Sequence, residues 1–277
     1  MRLERRPALV LSAVAIAVAA VYFLGMRLFR RDVLRFQYVG QPLAQGDYAA
    51  LGAKPGWRLQ STDGGGGVVL RGLERPPSKA TSPWVLFFEG NTAHPLAEAQ
   101  RFLDALVDDR DWGAATWAYR GYDGSGGTPD PAALASDGWH EYERLMTEER
   151  VDRSRLHLVG FSLGTSVVAS IAARAGGEAP ASITLLAPMT ELDMVAGRLS
   201  RAHRYETLKY LDAIVGPALV VHGSRDAVLG VEGGRLVAAR LGARARYVEP
   251  PEVGHLDLVG TPTVLDQVRG FIADHAR

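Results

Sequence analysis

Gly160-Phe161-Ser162-Leu163-Gly164 places a serine at the centre of a Gly-x-Ser-x-Gly pentapeptide. A strand-like apolar run, Leu156 to Gly160, precedes it, and a helical pattern, Gly164 to Arg174, follows. That context suits a sharp strand-to-helix turn that pushes the hydroxyl out at the strand tip. Gly160 and Gly164 let neighbouring backbone approach without a Cβ. The helix that starts at the serine points its first amides at developing negative charge, so the Leu163 N–H is a candidate oxyanion donor. A serine hydroxyl needs a base, and the base needs an acid to orient it. For a serine on such a turn the expected chain order is serine, acid, histidine. His222-Gly223-Ser224-Arg225-Asp226 follows an apolar run and offers Asp226; Gly254-His255 follows the last strand-like run and offers His255. Glu191 and Asp193 are alternative acids, and Asp226 could instead cap the next helix. Asp257 lies too near His255 along the chain to orient it, and His222 reads as a structural residue at a strand end. Phe87-Phe88-Glu89-Gly90-Asn91-Thr92 closes another buried run, where a second oxyanion donor is expected; the Asn91 N–H is the candidate, and a plain strand-to-helix turn is the alternative reading.

The elements that must position these groups are legible as alternation. Trp57–Ser61 and Val68–Leu73, separated by Thr62-Asp63 and four glycines, read as an opening antiparallel hairpin. The glycines lack a following Gly-Lys-Ser/Thr, so a turn is preferred to a phosphate loop. Trp84–Phe88, Ala114–Tyr119, Leu156–Gly160, Ile183–Leu186, Ala218–His222 and Ala245–Val248 read as further strands. Helical patterns cover Pro95–Val107, Pro131–Thr147, Gly164–Arg174 and Thr263–His275. Such alternation predicts an α/β fold, a mostly parallel central sheet with helices on both faces. Sites in such sheets lie beyond the carboxyl ends of the strands, where all the candidate residues fall. About thirty residues separate Pro188 from the strand at Ala218, with a possible helix from Leu192 to Arg201; that leaves room for a minimal cap only.

The chain has 277 residues, 47% of them hydrophobic, with zero formal net charge and no cysteine. Disulfides and thiolate metal sites are excluded, and nothing favours a nucleic-acid partner. Ala8 to Met26 is apolar without a charge, preceded by Arg2, Arg5 and Arg6 and followed by Arg27, Arg30, Arg31 and Arg35. As a helix it would be about 28 Å long, near the thickness of a bilayer core. It predicts a single transmembrane anchor; a cleaved signal peptide ending at Ala17-Val18-Ala19 and a buried core helix are the alternatives. The expected organisation is a basic N-terminus (1–7), the anchor (8–26), a juxtamembrane linker (27–50) and one catalytic domain (51–277). Arginines flank both ends of the run, so they do not fix its orientation; the expected location is a bacterial inner membrane, the periplasmic side being favoured.

Four stretches together resemble a known family: Phe88-Glu89-Gly90-Asn91, Tyr119-Arg120-Gly121-Tyr122-Asp123-Gly124-Ser125-Gly126-Gly127-Thr128-Pro129, the serine motif, and the His222 and His255 segments. The chain is similar to the small, N-terminally anchored bacterial α/β-hydrolases, relatives of acyl-protein thioesterase and lysophospholipase-like enzymes. The resemblance implies an α/β-hydrolase fold and cleavage of acyl esters or thioesters (EC 3.1) by Ser162, His255 and Asp226 through an acyl-enzyme. It implies no cofactor and no metal, and a small or lipid-like acyl substrate. An amidase or peptidase on the same triad, and a noncatalytic protein retaining the fold, are the other readings; the sequence leaves the oligomeric state open. The family usually carries His-Gly where this chain has Glu89-Gly90. A carboxylate there would oppose an oxyanion, so Arg120, at the end of the neighbouring strand, is expected to pair with Glu89; the alternatives are that Glu89 turns to solvent or that the activity is altered.

Overall fold

The computed structural model describes residues 20–25, 38–107, 109–193 and 204–276. Ten strands are described: β1 (Arg58–Asp63), β2 (Val69–Arg75), β3 (Trp84–Phe88), β4 (Gly113–Trp117), β5 (Leu156–Phe161), β6 (Ser182–Leu186), β7 (Glu191–Asp193), β8 (Arg204–Glu206), β9 (Ala218–Val221) and β10 (Ala245–Val248). The helices are α1 (Gln45–Gly52), α2 (Pro95–Val107), α3 (Pro131–Thr147), α4 (Leu163–Ala175), α5 (Val231–Leu241) and α6 (Pro262–Asp274). Eight strands form one sheet in the order β1-β2-β4-β3-β5-β6-β9-β10. β2 runs antiparallel to β1 and to β4, and every other neighbouring pair is parallel. β7 and β8 form a separate antiparallel pair.

Every residue of β3, β4, β5, β6 and β9 is buried, as expected of a parallel sheet covered on both faces. This is why those strands read as unbroken apolar runs. Among the helices α2 touches α6, α3 touches α4, and a 3₁₀ turn at Leu211–Ala213 bridges α4 and α5. The architecture is the expected one: a mostly parallel sheet in its helical cover.

Two expectations need correction here. Residues 38–50 are not a linker. Tyr38 and Tyr48 enter the core, and the Tyr48 hydroxyl donates to the carbonyls of Gln60 at 2.8 Å and Gly72 at 3.2 Å. Leu192 and Asp193 lie in β7, not in a helix, because they pair with β8; 194–201 lie outside the described residues. The expected anchor, 8–26, also lies mostly outside them: only 20–25 are described, and these are helical and exposed. Among the described residues no helix is long and apolar enough to cross a membrane. The alternative cleavage site at Ala17–Ala19 is likewise outside the described residues.

Candidate active site

Ser162 sits between the last residue of β5 and the first of α4 with φ +50° and ψ −114°, a left-handed backbone uncommon for a residue with a Cβ. Its N–H donates to the Leu186 carbonyl at 2.9 Å, which ties the turn to β6. The flanking glycines are required by close approach. A Cβ on Gly160 would lie 2.6 Å from the Gly164 carbonyl oxygen, and one on Gly164 would lie 2.0 Å from that of Phe88. A side chain at Gly164 would drive the turn off β3, and one at Gly160 would collide with the first turn of α4.

The structure brings His255 and Asp226 to this serine. His255 Nε2 lies 3.1 Å from Ser162 Oγ, and His255 Nδ1 lies 2.6 Å from Asp226 Oδ2. An ionised carboxylate only accepts, so Nδ1 carries the proton and Nε2 is left to accept from the serine hydroxyl. The Phe161 ring packs on the His255 ring, centroids 5.0 Å apart. Asp226 Oδ1 accepts the N–H groups of Val228 at 2.8 Å and Leu229 at 2.9 Å. Burial pushes the Asp226 carboxyl up, but the His255 bond and these two amides outweigh it and hold the group below the usual carboxylate range.

Sequence reasoning missed the further role of His222. Its Nε2 lies 3.0 Å from the same Asp226 oxygen that His255 uses, and its side chain is fully buried. Burial drives its pKa down against the pull of Asp226. His222 is therefore a neutral donor to the carboxylate, with Nδ1 buried and without a hydrogen-bond partner. The signal was present as a histidine four residues before the aspartate at a strand end. Gly234 makes room for it: a Cβ there would lie 2.5 Å from that of His222.

The loop after β3 faces the serine. A Cβ on Gly90 would lie 3.3 Å from Ser162 Cβ and 3.2 Å from the Phe161 ring. Asn91 and Leu163, the two expected donor positions, both line the cleft that holds Ser162. Asn91 Oδ1 accepts from the Tyr122 hydroxyl at 2.7 Å and from the Val39 N–H at 3.3 Å. The cleft has a volume of about 730 Å³ and an apolar lining that includes Phe102, Phe161, Met189, Val228, Leu256 and Leu265.

Glu89 and Arg120 do not meet, which corrects the pairing expected from sequence. β4 ends at Trp117, so Arg120 lies in the following turn rather than at a strand tip. There Nε and Nη2 form a fork to Asp137 at 2.6 and 2.5 Å, and Nη2 also donates to the Gly64 carbonyl at 2.5 Å. Glu89 is only 3% exposed; its Oε1 accepts the Gly90 N–H at 2.7 Å and its Oε2 is buried without a partner. Burial raises its pKa to about 7 despite the Gly90 bond, with Glu98 raising and Arg101 lowering it further. The position where the resemblance implies a histidine thus holds a buried carboxyl group whose pKa is raised toward neutrality. Of the alternative acids, Glu191 and Asp193 fall in β7, while Asp226 holds the contact to His255.

No family model matches the chain. An uncharacterised protein of Mycobacterium tuberculosis is 30% identical over 233 residues, 80% of this chain and 75% of that protein. The α/β-hydrolase domain-containing protein aho-3 of Caenorhabditis elegans is 26% identical over 195 residues, 69% of this chain and 58% of its own length. Human α/β-hydrolase domain-containing protein 17C is 26% identical over 200 residues, 70% and 59% respectively. The chain thus spans under two thirds of these two animal relatives. Among solved structures, the Pyrococcus furiosus esterase Pf2001 superposes with TM-score 0.70 at 16% identity, over 87% of this chain and 99% of that one. Est1E from Butyrivibrio proteoclasticus, with ferulic acid bound, does so with TM-score 0.65 at 16% identity, over 78% and 98%.

Proposed function

As the chain belongs to the α/β-hydrolase family, we propose that it is a serine hydrolase cleaving acyl esters or thioesters through Ser162, His255 and Asp226. The observation that carries this reading is the unbroken relay Ser162 Oγ, His255 Nε2, His255 Nδ1, Asp226 Oδ2, with contacts of 3.1 and 2.6 Å, opening into an apolar cleft. In the proposed reaction Ser162 Oγ attacks the acyl carbonyl as His255 Nε2 takes its proton. Asp226, ionised and fixed by three donors besides His255, offsets the charge on the imidazolium. The N–H groups of Leu163 and Asn91 receive the oxyanion. Preorganised donors of this kind are each worth roughly 10²–10³ in rate. Collapse of the tetrahedral intermediate breaks the bond to the leaving alkoxide or thiolate, which takes the proton from His255. Water, activated by the same histidine, then releases the acid. The acyl chain would lie among Phe102, Met189, Leu256 and Leu265. The 8–26 run would hold the domain at a bacterial inner membrane, where a small or lipid-like acyl substrate is available.

The test is labelling by a fluorophosphonate probe together with turnover of p-nitrophenyl esters of rising chain length. The wild-type chain should label and turn over, and Ser162→Ala should do neither while remaining folded. A folded wild-type chain that resists the probe sinks the proposal; faster turnover of a matched anilide than of the ester would make it an amidase.

A further inference from the structure

Residues 38–41 leave the N-terminal region and are bonded to the loop that follows β3. The Val39 N–H donates to Asn91 Oδ1 at 3.3 Å, and the Gln41 N–H donates to the Ala93 carbonyl at 2.9 Å. The Gln41 carbonyl accepts the Asp123 N–H at 3.0 Å. The buried Tyr38 hydroxyl lies 3.0 Å from that of Tyr205 in β8. Gly40 is pressed on the Tyr122 ring, since a Cβ there would lie 2.1 Å from Tyr122 Cδ1. Tyr122 in turn donates to Asn91 Oδ1 at 2.7 Å, and Tyr119 donates to the Glu89 carbonyl at 2.5 Å. Four consecutive residues therefore tie the 91–93 loop to β8 and to the turn after β4. None of them lines the cleft, so their influence on the reaction is indirect, and the bonds to Asn91 and Ala93 direct it to the donor loop.

We propose that residues 38–41 are a positioning strap that sets the Gly90–Asn91 turn against Ser162, so that the seating of the N-terminal segment governs the rate of the chemical step. The proposal rests on the reading of the Asn91 N–H as an oxyanion donor. A glycine-containing turn has little rigidity of its own, and a donor displaced by a fraction of an ångström stabilises the transition state less while binding the ground state as before. The strap supplies that rigidity from the outside. A pull or rotation applied to the segment ahead of Tyr38 is thereby transmitted to the donor loop.

Two full-chain variants loosen the strap without touching a reacting group. Gly40→Ala drives a methyl group into the Tyr122 ring, and Tyr122→Phe removes the hydroxyl that donates to Asn91 Oδ1. Tyr48→Phe, which deletes two hydroxyl bonds at the distant β1–β2 edge, is the control for loss of stability alone. Measured well below the melting temperature, the two strap variants should lose about 10- to 100-fold in kcat on p-nitrophenyl butyrate. KM should stay within about twofold, since ground-state binding is spared. They should also weaken inhibition by a phenylboronic acid, whose serine adduct is tetrahedral, by the same factor as kcat/KM. Amide hydrogen exchange at 91–93 should accelerate in both and not in Tyr48→Phe. Wild-type kcat in Gly40→Ala and Tyr122→Phe overturns the proposal, as does a loss no larger than in the control. Unchanged exchange at 91–93 overturns the strap whatever the activity. A wild-type chain that neither labels nor turns over overturns the hydrolase reading and the strap's role in rate with it, while the exchange data still decide whether the loop is held.

Discussion

Glu89→Gln replaces the buried carboxyl with a neutral group of the same shape, and its effect on stability should depend on pH in one direction only. The Glu89 pKa rises from 4.5 to about 7 on folding, mainly through burial. At about 1.4 kcal/mol per unit, that is a difference of about 3 kcal/mol between the two protonation states. The folded chain binds this proton more tightly than the unfolded chain does. Its contribution is therefore fully present below about pH 4.5 and is lost as the pH rises to about 7, beyond which the penalty is constant. The variant carries no such proton. Its stability relative to wild type should rise by about 3 kcal/mol between pH 4.5 and pH 8, whatever fixed offset the amide introduces. Urea unfolding at pH 4.5, 6 and 8, on the Ser162→Ala background to exclude any self-processing, gives the number directly. A difference that is flat across the window, or that falls, would falsify the account of Glu89 as a carboxyl forced toward neutrality. The variant-to-wild-type ratio in kcat should climb over the same interval, because an ionised Glu89 beside the cleft repels the oxyanion.

Asp226→Asn should lower kcat/KM on p-nitrophenyl esters by roughly 10⁴, the scale of a mis-set histidine tautomer in a serine protease; if Glu191→Gln or Asp193→Asn is the crippled variant instead, the acid is misassigned. Arg120→Gln leaves Asp137 buried without its fork and should cost about 3–5 kcal/mol in urea unfolding. Combined with Glu89→Gln, its effect should be additive, and a coupling above about 0.5 kcal/mol would contradict their separate placement. The full-length protein should sediment with membranes and resist alkaline carbonate, whereas a mature N-terminus at Ala20 would establish a cleaved signal peptide.

The strands that build the site were legible because each is buried on both faces. Trp84–Phe88 and Leu156–Phe161 have no exposed face to interrupt the apolar run, and composition alone marks such segments. The serine motif, Asp226 and His255 followed from chain order. What stayed hidden depends on where a strand stops and what a side chain meets afterwards. Arg120 was placed at a strand tip, but β4 ends three residues earlier at Trp117, and that turns the guanidinium toward Asp137. α1 buries only Tyr48, so it presents no periodic apolar face to read. Tyr38 and Gly40 look like linker residues until Tyr205 and Tyr122, far along the chain, are brought against them. His222 was read as a strand-end residue, which it is; its hold on Asp226 needed the turn between them to be known.

The three groups of the relay come from separate strand ends, and Ser162 and His255 stand 93 residues apart. Between them lie β6, β9 and β10, with long crossovers that must all be in place before imidazole reaches hydroxyl. Pairings of such sequence separation close late and slowly, because loop entropy is lost before the contact repays it. A partly folded chain, even one with β5 and α4 formed, would own the serine without its base and would be inert to an active-site reagent. If Ser162 is the nucleophile proposed above, the fraction of molecules that react counts completed folding rather than local structure. It offers a titration of native protein in a crude refolding mixture, where spectroscopic signals from early helices would overstate the yield.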